Sequence, residues 1–197
     1  MIPNTKNGLP AMACVSAMQK AIRRNMEAEA MEFACELIHT PGQQGKGFLT
    51  MVCNRLEIIS HEDIDTQLAP HIVVFVATCV EQAKRHYDAA KIGRARMMIG
   101  SAIRMMARAP KSREGDHFGI AIGLANQIGG KVPVIPDWAF DQHTAKGKQM
   151  GRGLKHFREE GTKLVPQPKP DAYEDAAYAM LALKFKGTKK GDLFDDD

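Results

Sequence analysis

The chain has 197 residues, 44% of them hydrophobic and 25% charged, with a formal net charge of +4. That length and balance support one globular domain with a sizeable core and exclude a fibrous or wholly disordered chain. No apolar run reaches the roughly 20 residues of a spanning helix, and the N-terminus lacks the charged-then-apolar order of a signal peptide, so no membrane partner is expected.

Residues 1–10 hold two Pro, one Gly and two Asn and read as an N-terminal loop. Apolar residues then recur at Met12, Val15, Met18, Ile22 and Met26, the spacing of one helix face. A second face, Ala30, Met31, Ala34, Cys35 and Ile38, ends at Pro41-Gly42. A third runs through Phe48, Leu49, Val52, Cys53, Leu56 and Ile59 into the polar stop Ser60–Asp65. Pro70 suits the first turn of a fourth helix with Ile72, Val73, Val76, Cys79, Val80 and Ala83. Its β-branched start also permits a strand over 72–76, but the length and the later period favour helix.

The fifth pattern places Ile92, Ala95, Ile99, Ala102, Ile103 and Met106 on one side, and Pro110 stops it. A sixth helix, near 114–128, carries Gly119, Ala121, Gly123 and Ala125, which predicts close packing against a neighbour. Val132-Pro133-Val134-Ile135-Pro136 reads as an extended linker. Residues 154–164 are again helix-like, Pro166, Pro168 and Pro170 favour an extended segment, and 171–185 suits a last helix. The expected organisation is a loop over 1–10, a helical domain over 11–165, a Pro-rich linker with a C-terminal helix over 166–186, and a disordered acidic tail over 187–197. With little strand signal, the fold class is all-α, a helical bundle.

The four cysteines, Cys14, Cys35, Cys53 and Cys79, lie far apart inside apolar helical patterns. They read as small buried hydrophobes in a reducing, cytoplasmic setting, not as a disulfide frame or a zinc site.

Charge is distributed unevenly. Between Lys84 and Arg113 there are nine Lys/Arg and one acid, Asp88, whereas Asp192–Asp197 holds four Asp and no base. The stripe Arg94, Arg104, Arg108, Lys111 and Arg113 is a candidate for phosphate contacts that hold DNA without reading its sequence; the alternative is a solvated or subunit-facing surface. The stretch 137–157 combines the only Trp with Gly147, Gly151 and Gly153 and with Lys146, Lys148, Arg152 and Lys155. Glycine-exposed amides among cations can nest an anion, and the same glycines can serve a tight turn. Asp137, Asp141 and His143 are ligand types for a divalent metal, as are His61, Glu62, Asp63 and Asp65, although capping or pairing with an arginine accounts for the second group as well.

Several strings occur together in one order: Ser16-Ala17-Met18-Gln19-Lys20-Ala21-Ile22-Arg23, Asn54-Arg55-Leu56-Glu57-Ile58-Ile59-Ser60-His61-Glu62-Asp63, Ala107-Arg108-Ala109-Pro110-Lys111-Ser112, Val132-Pro133-Val134 and the glycine-basic run 146–157. Over residues 12–160 the chain resembles the C-terminal region of the replication-associated recombination ATPases, the AAA+ family that includes the Werner-helicase-interacting proteins. That region is similar to the clamp-loader collar: helical, without chemistry of its own, and tetrameric in characterised relatives. The resemblance implies an oligomerisation scaffold in DNA replication, recombination or repair, with a second copy, an AAA+ ATPase or DNA as partner and no cofactor. The phosphate-binding G-x-x-x-x-G-K-[ST] is absent; Gly42-Gln43-Gln44-Gly45-Lys46-Gly47 has the wrong spacing, so no ATPase activity is expected by that route. Residues 137–143 depart from the family, and the alternative reading, a metal-dependent enzyme acting on nucleic acid or nucleotides, would use Asp137, Asp141 and His143. In the tail, Leu193 and Phe194 resemble the end of a peptide that docks on a sliding clamp, without its leading Gln and Leu; the alternative is a solubilising tail.

Overall fold

The computed structural model describes residues 4–130, 132–169 and 171–187, with 186 and 187 described by backbone alone. The protein is all-α, with no strand among the described residues. It divides into two compact units, Met1–Lys131 and Val132–Asp197. The division falls at the start of the extended Val132–Pro136 segment. X-Pro steps at 133 and 136 hold this segment out of the helical region.

The first unit contains α1 (Ala11–Arg23), α2 (Glu27–Ile38), α3 (Gly42–Glu62), α4 (His71–Asp88), α5 (Ile92–Arg108) and α6 (Glu114–Gly129). Short turns at 24–26, 39–41 and 89–91 make consecutive helices run antiparallel. One end of the bundle therefore gathers the start of α1, the α2–α3 turn and the α4–α5 turn. The other gathers the α1–α2 turn, the end of α3 and the end of α5. Between them lie Met18, Ile22, Leu37, Ile38, Val52, Leu56, Ile59, Val76, Val80, Ile99, Ile103 and Met106, all fully buried. All but Leu37 come from the apolar faces read in the sequence, and Ile72–Val76 is helical.

The periodicity misplaces some side chains at helix ends. Met12, Met26 and Ile92 are exposed. For Met26 the reason is local: α1 stops at Arg23, Asn25 takes the left-handed region at φ 59°, and Met26 becomes the residue before α2. Asn reaches that region more readily than most residues because its short polar side chain bonds locally.

At the second end the α3–α4 loop is stitched to the α5–α6 loop. Asp65 N–H donates to Pro110 O at 3.0 Å, and Ser112 N–H donates to Asp63 O at 3.2 Å. Asp63 is the buried centre of this joint. Its carboxylate, 1% exposed, accepts from Arg23 Nε at 2.7 Å and from Gln19 Nε2 at 2.9 Å.

All four cysteines are free thiols. Burial raises each thiol above its ordinary value, and Cys53 is pushed up to about 11. The thiolate is the reactive form, so native protein at neutral pH should alkylate slowly at Cys14, Cys53 and Cys79 and label fully only in denaturant. Mass-spectrometric counting of adducts over time checks this. Rapid native labelling of Cys53 would contradict the packing of α3.

α6 differs from expectation. None of its residues is buried, and Phe118, Ile120, Ile122, Leu124 and Ile128 are at least 46% exposed. A Cβ added at Gly119 or Gly123 would meet nothing within 4 Å. The close packing expected from its small residues is not made within the described chain. The core already closes among α1–α5, and α6 touches α3 mainly at its root, where Gly115 approaches His61 O.

The second unit holds a 3₁₀ turn at Asp137–Ala139, α7 (Ala145–Gln149), α8 (Leu154–His156), a π turn at Phe157–Gly161 and α9 (Glu174–Gly187). The continuous helix expected over 154–164 is instead one short turn that widens, with Thr162 N–H reaching Phe157 O at 2.9 Å. Arg158 ties this turn to Glu174 at 3.2 Å and to Asp175 at the start of α9. The expected tail beyond Gly187, with Leu193 and Phe194, lies outside the described residues.

Candidate functional site

The basic stripe does not form one surface. Arg94 sits in the first turn of α5 and Arg108 at its end, about 21 Å apart at 1.5 Å per residue. The four later cations are occupied within the fold. Arg108 grips Glu27 with two hydrogen bonds at 2.7 and 2.8 Å, and Arg104 approaches the same carboxylate at 3.6 Å. The Arg108 hydrogen bond is the main reason Glu27 lies below the ordinary carboxylate value. Lys111 Nζ donates to Ala107 O at 2.7 Å and Ala109 O at 2.8 Å, carbonyls that the end of α5 leaves open, and to Asn25 Oδ1 at 3.0 Å. Desolvation there lowers the Lys111 ammonium from its ordinary value. Arg113 meets Glu62 at 2.9 Å, Asp63 at 3.7 Å and Asp116. These are tethers between helix ends, and Arg94 makes no ion pair among the described residues.

The glycine-basic stretch is a self-contained turn. Thr144 Oγ1 accepts from Gly147 N–H at 3.0 Å and caps α7. Arg152 folds back: Nη1 donates to Asp137 O at 2.6 Å and Phe140 O at 2.8 Å, while Nη2 meets the Asp137 carboxylate. Lys146 Nζ stands 4.1 Å from the centre of the Phe140 ring, and Lys155 approaches Glu159 at 4.0 Å. Lys148 is exposed. Gly151 adopts φ 72°, a left-handed position that favours glycine. Lys146 thus touches a ring of the turn itself, and Arg152 holds the turn shut.

Gly147 is buried against the backbone of the same turn, where an added Cβ would lie 1.9 Å from Asp141 O. Gly147→Ala should therefore open the 137–152 turn. Limited proteolysis should show faster cleavage there, with the core helices of the first unit intact. Unchanged cleavage would mean that the turn has room that the geometry denies.

Asp137, Asp141 and His143 do not converge. Asp137 is held by Arg152, Asp141 Oδ1 accepts from the His143 backbone N–H at 2.9 Å, and the His143 ring stands edge-on to Phe157 at 4.9 Å. Glu62 and Asp63 are taken by Arg23 and Arg113, and Asp65 Oδ1 accepts from Gln67 and Leu68 N–H. Among the described residues no three His, Cys, Asp or Glu side chains form a group that could hold a metal ion.

Two features escaped the sequence. One is the bare apolar surface of α6, because periodicity reports a helix's hydrophobicity and not whether a partner covers it. The other is a second set of cations, Lys6, Arg85, Lys91 and Arg96, which the antiparallel path places at the same end of the bundle as Arg94. The usable signal was the pairing of acids. The lone acid of the basic segment, Asp88, is taken by Lys46 at 2.7 Å. No protein-family model matches the chain, and no curated protein matches it either.

Proposed function

We propose that the chain is a non-enzymatic helical assembly module, similar to the clamp-loader collar, acting in DNA replication, recombination or repair. The observation that carries the assembly is α6, apolar throughout its middle stretch Phe118–Ala125 and without a buried residue. A helix of that composition belongs in a core or at an interface. The ordered sequence strings supply the DNA setting and make a tetramer the favoured assembly, with an AAA+ ATPase and a sliding clamp as further partners. Weak, sequence-independent contact with DNA belongs to the same reading. Among the described residues no helix is long and apolar enough to cross a membrane.

Light scattering of the purified chain is the direct test. The expected mass is about four times the 21.7 kDa of one chain. A monomer at all concentrations overturns the assembly.

A further inference from the structure

The two ends of the bundle treat their cations differently. At the end formed by the α1–α2 turn and the ends of α3 and α5, Arg23, Arg104, Arg108 and Arg113 meet carboxylates, and Arg24 donates to the Lys20 carbonyl at 2.8 Å. At the opposite end stand Lys6 before α1, Arg85 on the last turn of α4, Lys91 in the α4–α5 turn, and Arg94 and Arg96 near the start of α5. All five are exposed, and none makes an ion pair among the described residues. Of the acids at this end, Asp88 pairs with Lys46 at 2.7 Å, while Glu36 accepts from Asn7 Nδ2 at 2.7 Å and Asn7 N–H at 3.2 Å and lies in the field of Lys6 at the margin.

Two histidines register the crowding. Desolvation and then Arg85, Arg94 and Lys91 hold His86 below its ordinary value. Desolvation and then Lys6 and Arg96 do the same to His39. The five cations, brought from separate segments, therefore act on one end of the bundle.

We propose that this end binds the phosphate backbone of double-stranded DNA, with Arg85, Lys91, Arg94 and Arg96 at the phosphates and Lys6 at the margin. The proposal rests on the DNA setting of the proposed function and does not need assembly through α6. Guanidinium groups match phosphate oxygens with paired hydrogen bonds, and three of the four contacts are arginines. A duplex presents charge along a rigid line, so cations on separate helix ends can each meet a phosphate without a pocket. A lipid surface would call for exposed aromatic or deeply apolar anchors beside the charge. The exposed apolar side chains of this end, Leu9, Met12 and Ile92, include no aromatic ring, and its aromatics Phe48 and Tyr87 are packed in or against the core.

The test uses the full chain and a labelled DNA duplex, titrated between about 50 and about 200 mM salt. Wild type should bind at low salt and weaken steeply as salt rises. The variant R85Q/K91Q/R94Q/R96Q should bind at least about tenfold more weakly, with a log–log salt slope shallower by about 3 to 4, near 0.9 for each phosphate no longer neutralised. R94Q alone should lower the slope by about 1 and guards against misfolding of the fourfold variant. R104Q/R108Q, at the paired end, should bind as wild type does.

No salt-sensitive binding by wild type overturns the proposal. Equal weakening by the two multiple variants, or an unaffected fourfold variant, does the same. Capture by phosphatidylserine vesicles without capture by the duplex assigns the end to a membrane surface and also overturns it. Light scattering on the same samples separates this from assembly: a monomer with the end-specific loss keeps the DNA surface and removes the tetramer, and an oligomer that ignores DNA does the reverse.

Discussion

Substituting Phe118→Asp together with Ile122→Asp is expected to convert the assembled chain to a monomer while leaving its helix content unchanged. The two residues are one turn apart on α6 and share a face; they are 68% and 60% exposed. Burying each in an interface is worth about 1.5–3 kcal/mol, so their joint removal weakens association at least about a hundredfold at 1.4 kcal/mol per decade. Carboxylates add a desolvation cost to any residual contact. The fold should survive, because neither side chain belongs to the core, and the change in unfolding free energy should stay within about 1 kcal/mol. Light scattering reads the mass and far-UV circular dichroism reads the helices. An unchanged oligomer would move the interface off α6; a collapse of helix content would mean that α6 is part of the core after all.

Asp63→Ala should produce the largest loss of stability among the polar positions. The carboxylate receives Arg23 Nε and Gln19 Nε2, and Arg113 Nε approaches at 3.7 Å. Its hydrogen bond is the first cause of the raised Arg23 value. Removing one member of a buried pair leaves its partners unsatisfied, a loss of about 3–5 kcal/mol when the pair is fully buried. Arg23 and Arg113 still reach solvent here, with side chains 28% and 42% exposed, so we expect about 2–4 kcal/mol. In a chain of this size that lowers Tm by about 5–15 °C. Asp116→Ala, which removes only a more exposed contact to Arg113, should cost less than about 1 kcal/mol. Thermal unfolding followed by circular dichroism compares the two. Equal and small losses would show that the Asp63 network contributes little to stability.

The joint at Asp63 also explains why part of the site was hard to read. In the sequence, His61-Glu62-Asp63 offers carboxylates for a metal, for capping or for an arginine. The choice depends on Arg23, about forty positions earlier in the chain, and on Arg113, about fifty later; only the antiparallel return of the helices brings them to one point. The stripe on α5 illustrates the same limit. Arg94, Arg104 and Arg108 look continuous by spacing, yet Glu27 of α2 meets only the last two. Sequence spacing describes one helix face and carries no information about which acid stands opposite.

Helix identity, by contrast, is a local property. Apolar residues at spacings of three and four, interrupted by Pro41, Pro70 and Pro110, determined α1–α5 and nearly all of their buried faces, because burial of one stripe is what stabilises a helix of this length. The Val132–Pro136 break was equally local. Tertiary structure decided the rest: which cations are tethered and which stand unpaired, that the glycine-basic turn closes on its own Arg152, and that α6 finds no cover within the described chain. Each of these depends on distances between segments remote in sequence or on the path of a turn, and periodicity contains neither.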